Sequence, residues 1–300
     1  MDLSGVLFFP VTPFEPAGVD VGALTSHLEH GLGFGPGGVF VACGTGEFPA
    51  LALREHADAV RTAVGVTGGM VPVVAGAGGP LPHAVDCARQ AADIGADGLL
   101  VMPPYLAAGP QHGLRAYVDE LLRASPLPVI LYQRGTARFS PESAAELACH
   151  PRVVGFKDGT GDLDLLHRIM LAVRADAGED FPFFNGLPTA EFSMPAYRGL
   201  GITQYSSAAF AFVPEVATAF HDAVAEGETA LVSRLLTEFY RPLVELRDSV
   251  PGYAVSLVKA GARLRGQAVG SVRPPLADPD SEDIKRLERL IEQGLAAVDG

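Results

Sequence analysis

Eight short runs of β-branched, aromatic and aliphatic residues, each followed by a helix-like stretch, fill residues 1–225 and leave few folds open to the chain. The strand candidates are 6–11, 38–43, 71–75, 98–102, 129–132, 153–157, 181–185 and 201–205. The helical candidates are 21–31, 53–66, 84–94, 114–124, 141–149, 163–174, 190–197 and 214–225, with apolar residues at helical spacing. Strands that read as continuous apolar runs are those covered on both faces, as in parallel sheets. Eight such units predict a (β/α)8 barrel, a TIM barrel of α/β class, with a doubly wound open sheet as the alternative. Residues 226–300 change character and read as helices over 228–248, 253–264 and 281–297, broken at Pro251 and Gly252 and again at Arg273, Pro274 and Pro275. No flexible linker precedes them, so they are expected to pack on the barrel as a C-terminal helical extension within one structural unit.

Composition narrows the function. Hydrophobic residues make up 48% and charged residues only 19%, which excludes a disordered chain. A net charge of −13 argues against a nucleic-acid surface. Apolar runs are broken by Pro or Gly well short of the roughly 18 residues a membrane span needs. The first residues carry no basic segment, so no signal peptide is expected. Cys43, Cys87 and Cys149 are odd in number and lack metal-ligand spacing, which points to a reducing cytoplasm. The expectation is an acidic cytoplasmic enzyme.

Lysine is scarce: Lys157, Lys259 and Lys285 are the only three among 22 basic residues. In a barrel, chemistry sits where strands end. Lys157 closes the apolar run Val153, Val154, Gly155, Phe156, where partial desolvation would lower its pKa and leave a free amine able to form a Schiff base with a ketone. The competing reading is a solvent-facing lysine paired with Asp158. Tyr132 ends the neighbouring strand candidate and is either a proton shuttle for that amine or a core tyrosine. Gly44, Thr45 and Gly46 offer backbone N–H groups where a strand turns towards a helix, suited to a carboxylate, or they form a turn with no ligand. The glycines of 33–38 precede a strand rather than follow one, so they are no dinucleotide fingerprint, and the glycines of 76–79 have no P-loop lysine. His27 and His30, with Glu29 between them, read as a solvated helix face rather than a metal site. Lys259 reads as part of a helix in the extension, away from the barrel mouth.

These residues resemble the Schiff-base aldolases and dehydratases that include dihydrodipicolinate synthase and N-acetylneuraminate lyase. The likeness runs from Phe9, Pro10, Val11, Thr12, Pro13 and Phe14, through Gly155, Phe156, Lys157 and Asp158, to Val272, Arg273, Pro274, Pro275 and Leu276. It implies an imine on Lys157, acid–base help from Tyr132, a further tyrosine at Tyr105 (contributed across a subunit interface in the synthase), and a carboxylate loop at Gly44, Thr45 and Gly46. Two departures point away from the synthase. Gly44 stands where its loop has a threonine, and Gln133, Arg134, Gly135, Thr136 and Ala137 replace the segment bearing its distal-carboxylate arginine. Whether Arg134 or Arg138 takes that place is open. Within the family, segments 42–48, 155–159, 186–191, 205–207 and 252–256 are most similar to members that dehydrate and decarboxylate a six-carbon keto sugar diacid. That likeness implies a lyase in which Gly186, Ser206 and Ser207 bind the hydroxylated part of the substrate. It implies no metal or organic cofactor, because the lysine supplies the electron sink, and a homo-oligomer, tetramer or dimer. The alternatives are a pyruvate-dependent aldolase, the synthase itself, or a barrel that binds a keto acid without turning it over.

Overall fold

The computed structural model describes residues 1–105 and 107–299. Eight parallel strands close on themselves: β1 (Leu7–Phe8), β2 (Gly38–Val41), β3 (Val73–Ala77), β4 (Gly98–Val101), β5 (Val129–Gln133), β6 (Val153–Asp158), β7 (Phe183–Asn185) and β8 (Gln204–Ser207). β1 pairs with both β2 and β8, which rules out the open sheet. Eight helices alternate with the strands: α1 (Val21–Leu32), α2 (Leu53–Thr67), α3 (Leu81–Ile94), α4 (Gln111–Ala124), α5 (Pro141–Ala148), α6 (Leu163–Ala177), α7 (Met194–Gly199) and α8 (Pro214–Glu226). Beyond them lie α9 (Thr229–Leu235), α10 (Arg241–Arg247), α11 (Tyr253–Leu264) and α12 (Ser281–Asp299), with α12 packed on α8 and α11.

The strand ends differ from the sequence expectation for local reasons. β1 is only two residues long, and Pro10 cannot donate to a ladder. β2 stops at Val41 because Ala42 turns to a positive φ of 50°. The helix expected over 228–248 is interrupted by a single π turn at Leu236–Tyr240, where Pro242 lacks the N–H that would continue the α ladder.

Each strand sends alternate residues to opposite faces, so the barrel wall divides two cores. Leu7, Phe9, Phe40, Val74, Leu100, Ile130, Tyr132 and Phe184 fill the interior. Phe8, Val39, Val41, Val73, Leu99, Val129, Leu131 and Phe183 face the helices. Between β5 and β6 the register slips by one residue: Val129 pairs with Val153, but Ile130 pairs with Gly155. Val154 is the extra residue. Uninterrupted alternation from the outward Val153 would turn Lys157 outward too; the slip changes the phase and sets Lys157 beside Tyr132 on the interior face.

His27 is not on a solvated face, contrary to the sequence expectation. It is buried, its Nε2 accepts the Val11 N–H at 3.2 Å, and its Nδ1 pairs with the Gln267 side-chain oxygen. Val11 is buried and follows the short strand β1, so its amide needs this acceptor. Among the described residues no helix is long and apolar enough to cross a membrane.

Burial lowers the pKa of His27 to about 4, and does the same to His56, whose Nε2 bonds the Gly76 carbonyl at 2.7 Å. Both rings are neutral when folded, whereas the unfolded chain binds protons at the ordinary histidine pKa near 6.5. Their contribution to stability is therefore complete above pH 6.5 and lost as pH falls towards 4. Thermal melts across that window should show the loss, and a His27→Gln variant should show a shallower dependence than the parent chain.

Candidate active site

A cavity of about 330 Å³ lies over the C-terminal ends of the strands. Gly44, Thr45, Tyr105, Tyr132, Lys157, Gly186 and Ser206 line it, together with Phe9, Glu47, Arg134 and Arg273. Most of the residues singled out from the sequence therefore meet at one place.

Lys157 is only 6% exposed. Its Nζ lies 4.1 Å from the Tyr132 ring centroid and 4.6 Å from that of Phe9. Burial pulls its pKa below the ordinary lysine range, against smaller opposing effects of Tyr132 and Cys43. The pairing with Asp158 weighed from the sequence is not formed, because successive residues of a strand point to opposite faces. Asp158 faces the helices, where its carboxylate accepts from Gln133 Nε2 at 2.8 Å, Thr160 Oγ1 at 2.7 Å and the Tyr197 hydroxyl. Tyr132 donates its hydroxyl to the Gly186 carbonyl at 3.0 Å and accepts from Arg134 Nη1 at 3.1 Å. Gly186 closes this corner: a Cβ there would stand 2.7 Å from Lys157 Cγ and 2.8 Å from the Asp158 carbonyl oxygen. Cys43 is buried in the same interior, with its thiol pushed up to about 12, so it stays protonated.

The loop after β2 is held from three sides. No acceptor among the described residues takes the amides of Gly44, Thr45 or Gly46, which leaves them free for a carboxylate. Gly46 is not itself on the cavity wall: its carbonyl accepts the Thr12 hydroxyl at 2.8 Å. Glu47 has a φ of 56°, and its carboxylate accepts Lys259 Nζ and the Arg273 N–H, each at 2.8 Å. Lys259 is thus not remote from the mouth. It is fully buried and also donates to the Thr12 carbonyl at 2.8 Å. Arg273 stacks on Phe14 at 3.8 Å and grips Glu55 with both terminal nitrogens, at 2.8 and 2.6 Å.

The two serines at the end of β8 separate by the same parity. Ser206 pairs with the inward Leu7 and reaches the cavity, while Ser207 pairs with the outward Phe8. Ser207 does not line the cavity; its buried hydroxyl donates to Glu191, whose carboxyl burial raises to about 7. Tyr105 of the chain's own mouth lines the cavity, at a φ of 53°. Arg138 stays outside, half-exposed and 3.8 Å from Asp162. The sequence offers no local signal for Phe9; only its inward parity with Leu7 marks it. Among the described residues no group of three or more His, Cys, Asp or Glu is placed to hold a metal ion.

A closed parallel barrel with a desolvated lysine beside a tyrosine at the strand ends defines a class of site able to hold a carbonyl compound as an imine. The profile of the dihydrodipicolinate synthetase family matches residues 2–294, and the chain belongs to that family. It is 54% identical to a probable 5-dehydro-4-deoxyglucarate dehydratase of Streptomyces coelicolor, across 99% of this chain and 94% of the relative. A protein of the same description from Paracidovorax citrulli is 42% identical, across 97% of this chain and 95% of the relative. Among solved structures, the dihydrodipicolinate synthase of Oceanobacillus iheyensis shares the fold with a TM-score of 0.89 at 24% identity, covering 98% of this chain and 97% of that one. A dihydrodipicolinate synthase of Cyanidioschyzon merolae, solved with lysine bound, has a TM-score of 0.81 at 28% identity, covering 100% and 99%.

Two substitutions test the geometry. Lys259→Met strands a buried carboxylate and should cost about 3–5 kcal/mol in urea unfolding, while pairing it with Glu47→Gln should recover part of the loss. Gly186→Ala should displace Lys157 and lower the rate of its reductive alkylation in a chain that still folds.

Proposed function

We propose that the chain is a lysine-dependent lyase that converts 5-dehydro-4-deoxy-D-glucarate to 2,5-dioxopentanoate, carbon dioxide and water. The observation that carries this reading is the buried Lys157 amine in register with Tyr132, in a chain about half identical to relatives described as probable dehydratases of that compound. The free amine attacks the C5 ketone, and the Tyr132 hydroxyl passes the proton that lets the carbinolamine oxygen leave as water. The protonated imine draws electrons from C4, so C4 loses a proton and the C3 hydroxyl departs as water. This leaves a C3=C4 double bond conjugated to the imine. C2 then loses its proton and C4 takes one back, which moves the double bond to C2=C3, and the enol so formed takes a proton at C3 and becomes the C2 ketone. Cleavage of the C5–C6 bond releases carbon dioxide and leaves an electron pair at C5, which takes a proton. Hydrolysis then frees the aldehyde and restores the amine.

The carboxylate next to the reacting ketone is assigned to the amides of Gly44, Thr45 and Gly46, with Gly186 and Ser206 beside the hydroxylated remainder. An acidic chain can hold an anion there because backbone N–H groups carry no counter-charge to be removed. Family likeness supports a homo-oligomer as the working assembly, and three unpaired thiols support a reducing compartment.

Borohydride trapping with 5-dehydro-4-deoxyglucarate, followed by peptide mapping, should place an adduct on Lys157 that is short of water and carbon dioxide. Retention of more than about 1% of activity in Lys157→Ala would overturn the imine role, since loss of a covalent nucleophile exceeds the roughly 10²–10⁴ of acid–base help. Trapping with pyruvate, without turnover of the sugar diacid, would move the assignment to an aldolase. Because burial lowers the Lys157 pKa, the trapping rate should rise with pH and reach its plateau below the ordinary lysine value of 10.5.

A further inference from the structure

Among the described residues three acids are buried: Glu47, Asp158 and Glu191. Glu47 is met by Lys259, and Asp158 by Gln133, Thr160 and Tyr197. Glu191 is met only by a hydroxyl, that of Ser207. Its second oxygen has no partner among the described residues, and neither do the hydroxyls of Tyr205 on β8 and Tyr240 at the end of the π turn. Burial first, and then the Glu191 charge, pushes both tyrosines away from ionisation, which places the three groups close together. The π turn itself packs on the turn Ala190–Ser193 that bears Glu191. A buried carboxyl so sparsely bonded stabilises the fold less than an apolar side chain of its size would. Its position suits it to another task.

Asn185, at the end of β7, fixes the turn that carries Glu191. Its side-chain nitrogen donates to the Ala190 carbonyl at 2.9 Å and to Ser193 Oγ at 2.8 Å, and its oxygen accepts the Leu187 N–H at 3.1 Å. Arg247 of α10 holds the same loop through the Pro188 carbonyl at 2.6 Å. The Ser206 hydroxyl, by contrast, makes one long bond, to the Asn185 carbonyl at 3.4 Å. Its neighbour Ser207 donates to Glu191 and accepts the Phe210 N–H at 3.0 Å. Ser206 and Ala208, on either side of Ser207, both line the cavity. The Glu191–Ser207 bond therefore ties the end of β8 to a fixed loop from the outer side of the cavity wall.

We infer that Glu191 is a positioning residue, which acts through Ser207 to set Ser206 for the hydroxylated part of the substrate and so favours hydroxylated keto acids over those without hydroxyls. The inference rests on the proposed reaction, in which Ser206 lies beside that part, and adds the group outside the cavity that holds it there. A hydroxyl placed beforehand binds more tightly than one the ligand must first order. Lys157 and Tyr132 stand on β6 and β5, and Gly186 beside them is fastened by its N–H to the Asp158 carbonyl at 2.6 Å. A ligand without hydroxyls therefore forms its imine independently of Glu191.

The test is borohydride trapping on the full chain with pyruvate, which carries no hydroxyl, and with 5-dehydro-4-deoxyglucarate, each read as a half-saturating concentration. The paired variant Glu191→Leu with Ser207→Ala removes both partners and leaves neither unbonded, so it should fold. Its half-saturating concentration for the sugar diacid should rise about 3- to 10-fold, the range of one net hydrogen bond, while that for pyruvate stays within about twofold. Glu191→Gln keeps an oxygen for the Ser207 hydroxyl and should hold both values within about twofold of the parent chain. Equal rises with both ligands, or no rise with either in a folded paired variant, would overturn the inference and leave the proposed reaction untouched. A glutamine variant as weak as the apolar pair would remove the Ser207 bond as the link. Trapping of the sugar diacid without turnover would sink the reaction and leave the ratio of the two ligands to judge Glu191. No adduct from the sugar diacid would overturn both.

Discussion

A slip of one residue between β5 and β6 decides which way Lys157 points, and the chemistry available to this chain hangs on that direction. Facing outward, the amine would sit among the helices, away from the cavity and from Tyr132. Facing inward, it lies against Tyr132 and Phe9, where burial lowers its pKa. Alternation along the strand gives these two neighbours in sequence opposite faces, and the slip decides which of them is the inward one. Asp158 becomes a hub on the outside of the barrel, bonded to Gln133, Thr160 and Tyr197, and so fixes the strand that carries the amine.

The second organising feature is the knot around Glu47. Its carboxylate gathers α11 through Lys259 and the segment before the Pro274–Pro275 bond through the Arg273 amide. Lys259 also holds the Thr12 carbonyl after β1. Two charges so deeply buried cost much in desolvation, and a pair of this kind is weak evidence of stability in itself. What it does provide is position. The extension is bound to the loop that brings Gly44 and Thr45 to the cavity wall, so the helices beyond the barrel help shape the site rather than only cover the wall. Gly46 and Thr12 complete the hold from the opposite side of the loop.

Electrostatics explains how a chain of net charge −13 could hold the anion proposed for its cavity. The acidic surplus lies elsewhere. At the mouth, Glu47 is paired internally with Lys259, while the cavity is lined by Arg134 and by Gly44 and Thr45, whose amides meet no acceptor among the described residues. Local donors, held before any ligand arrives, outweigh a diffuse opposing charge that salt screens over about 10 Å.

Much of the fold was legible because its signals are local. Apolar runs of strand length alternating with amphipathic helices demand a parallel sheet covered on both sides, and the scarcity of lysine together with the barrel rule singled out Lys157 and Tyr132. Strand parity was also written in the sequence, and applied to Ser206 and Ser207 it would have separated the serine on the cavity from the one bonded to Glu191. The slip that reverses the parity of Lys157 was not legible, since it arises from pairing with β5 and has no composition of its own. Neither was the burial of His27 or Lys259. Each looks like an exposed helix residue until a distant segment supplies its partner: Val11 and Gln267 for the one, Glu47 and Thr12 for the other. The sequence by itself determined the number and order of the elements and the residues that end them. Tertiary structure alone decided which of those residues face one another, because contacts between distant segments are set by how the barrel closes and not by local spacing.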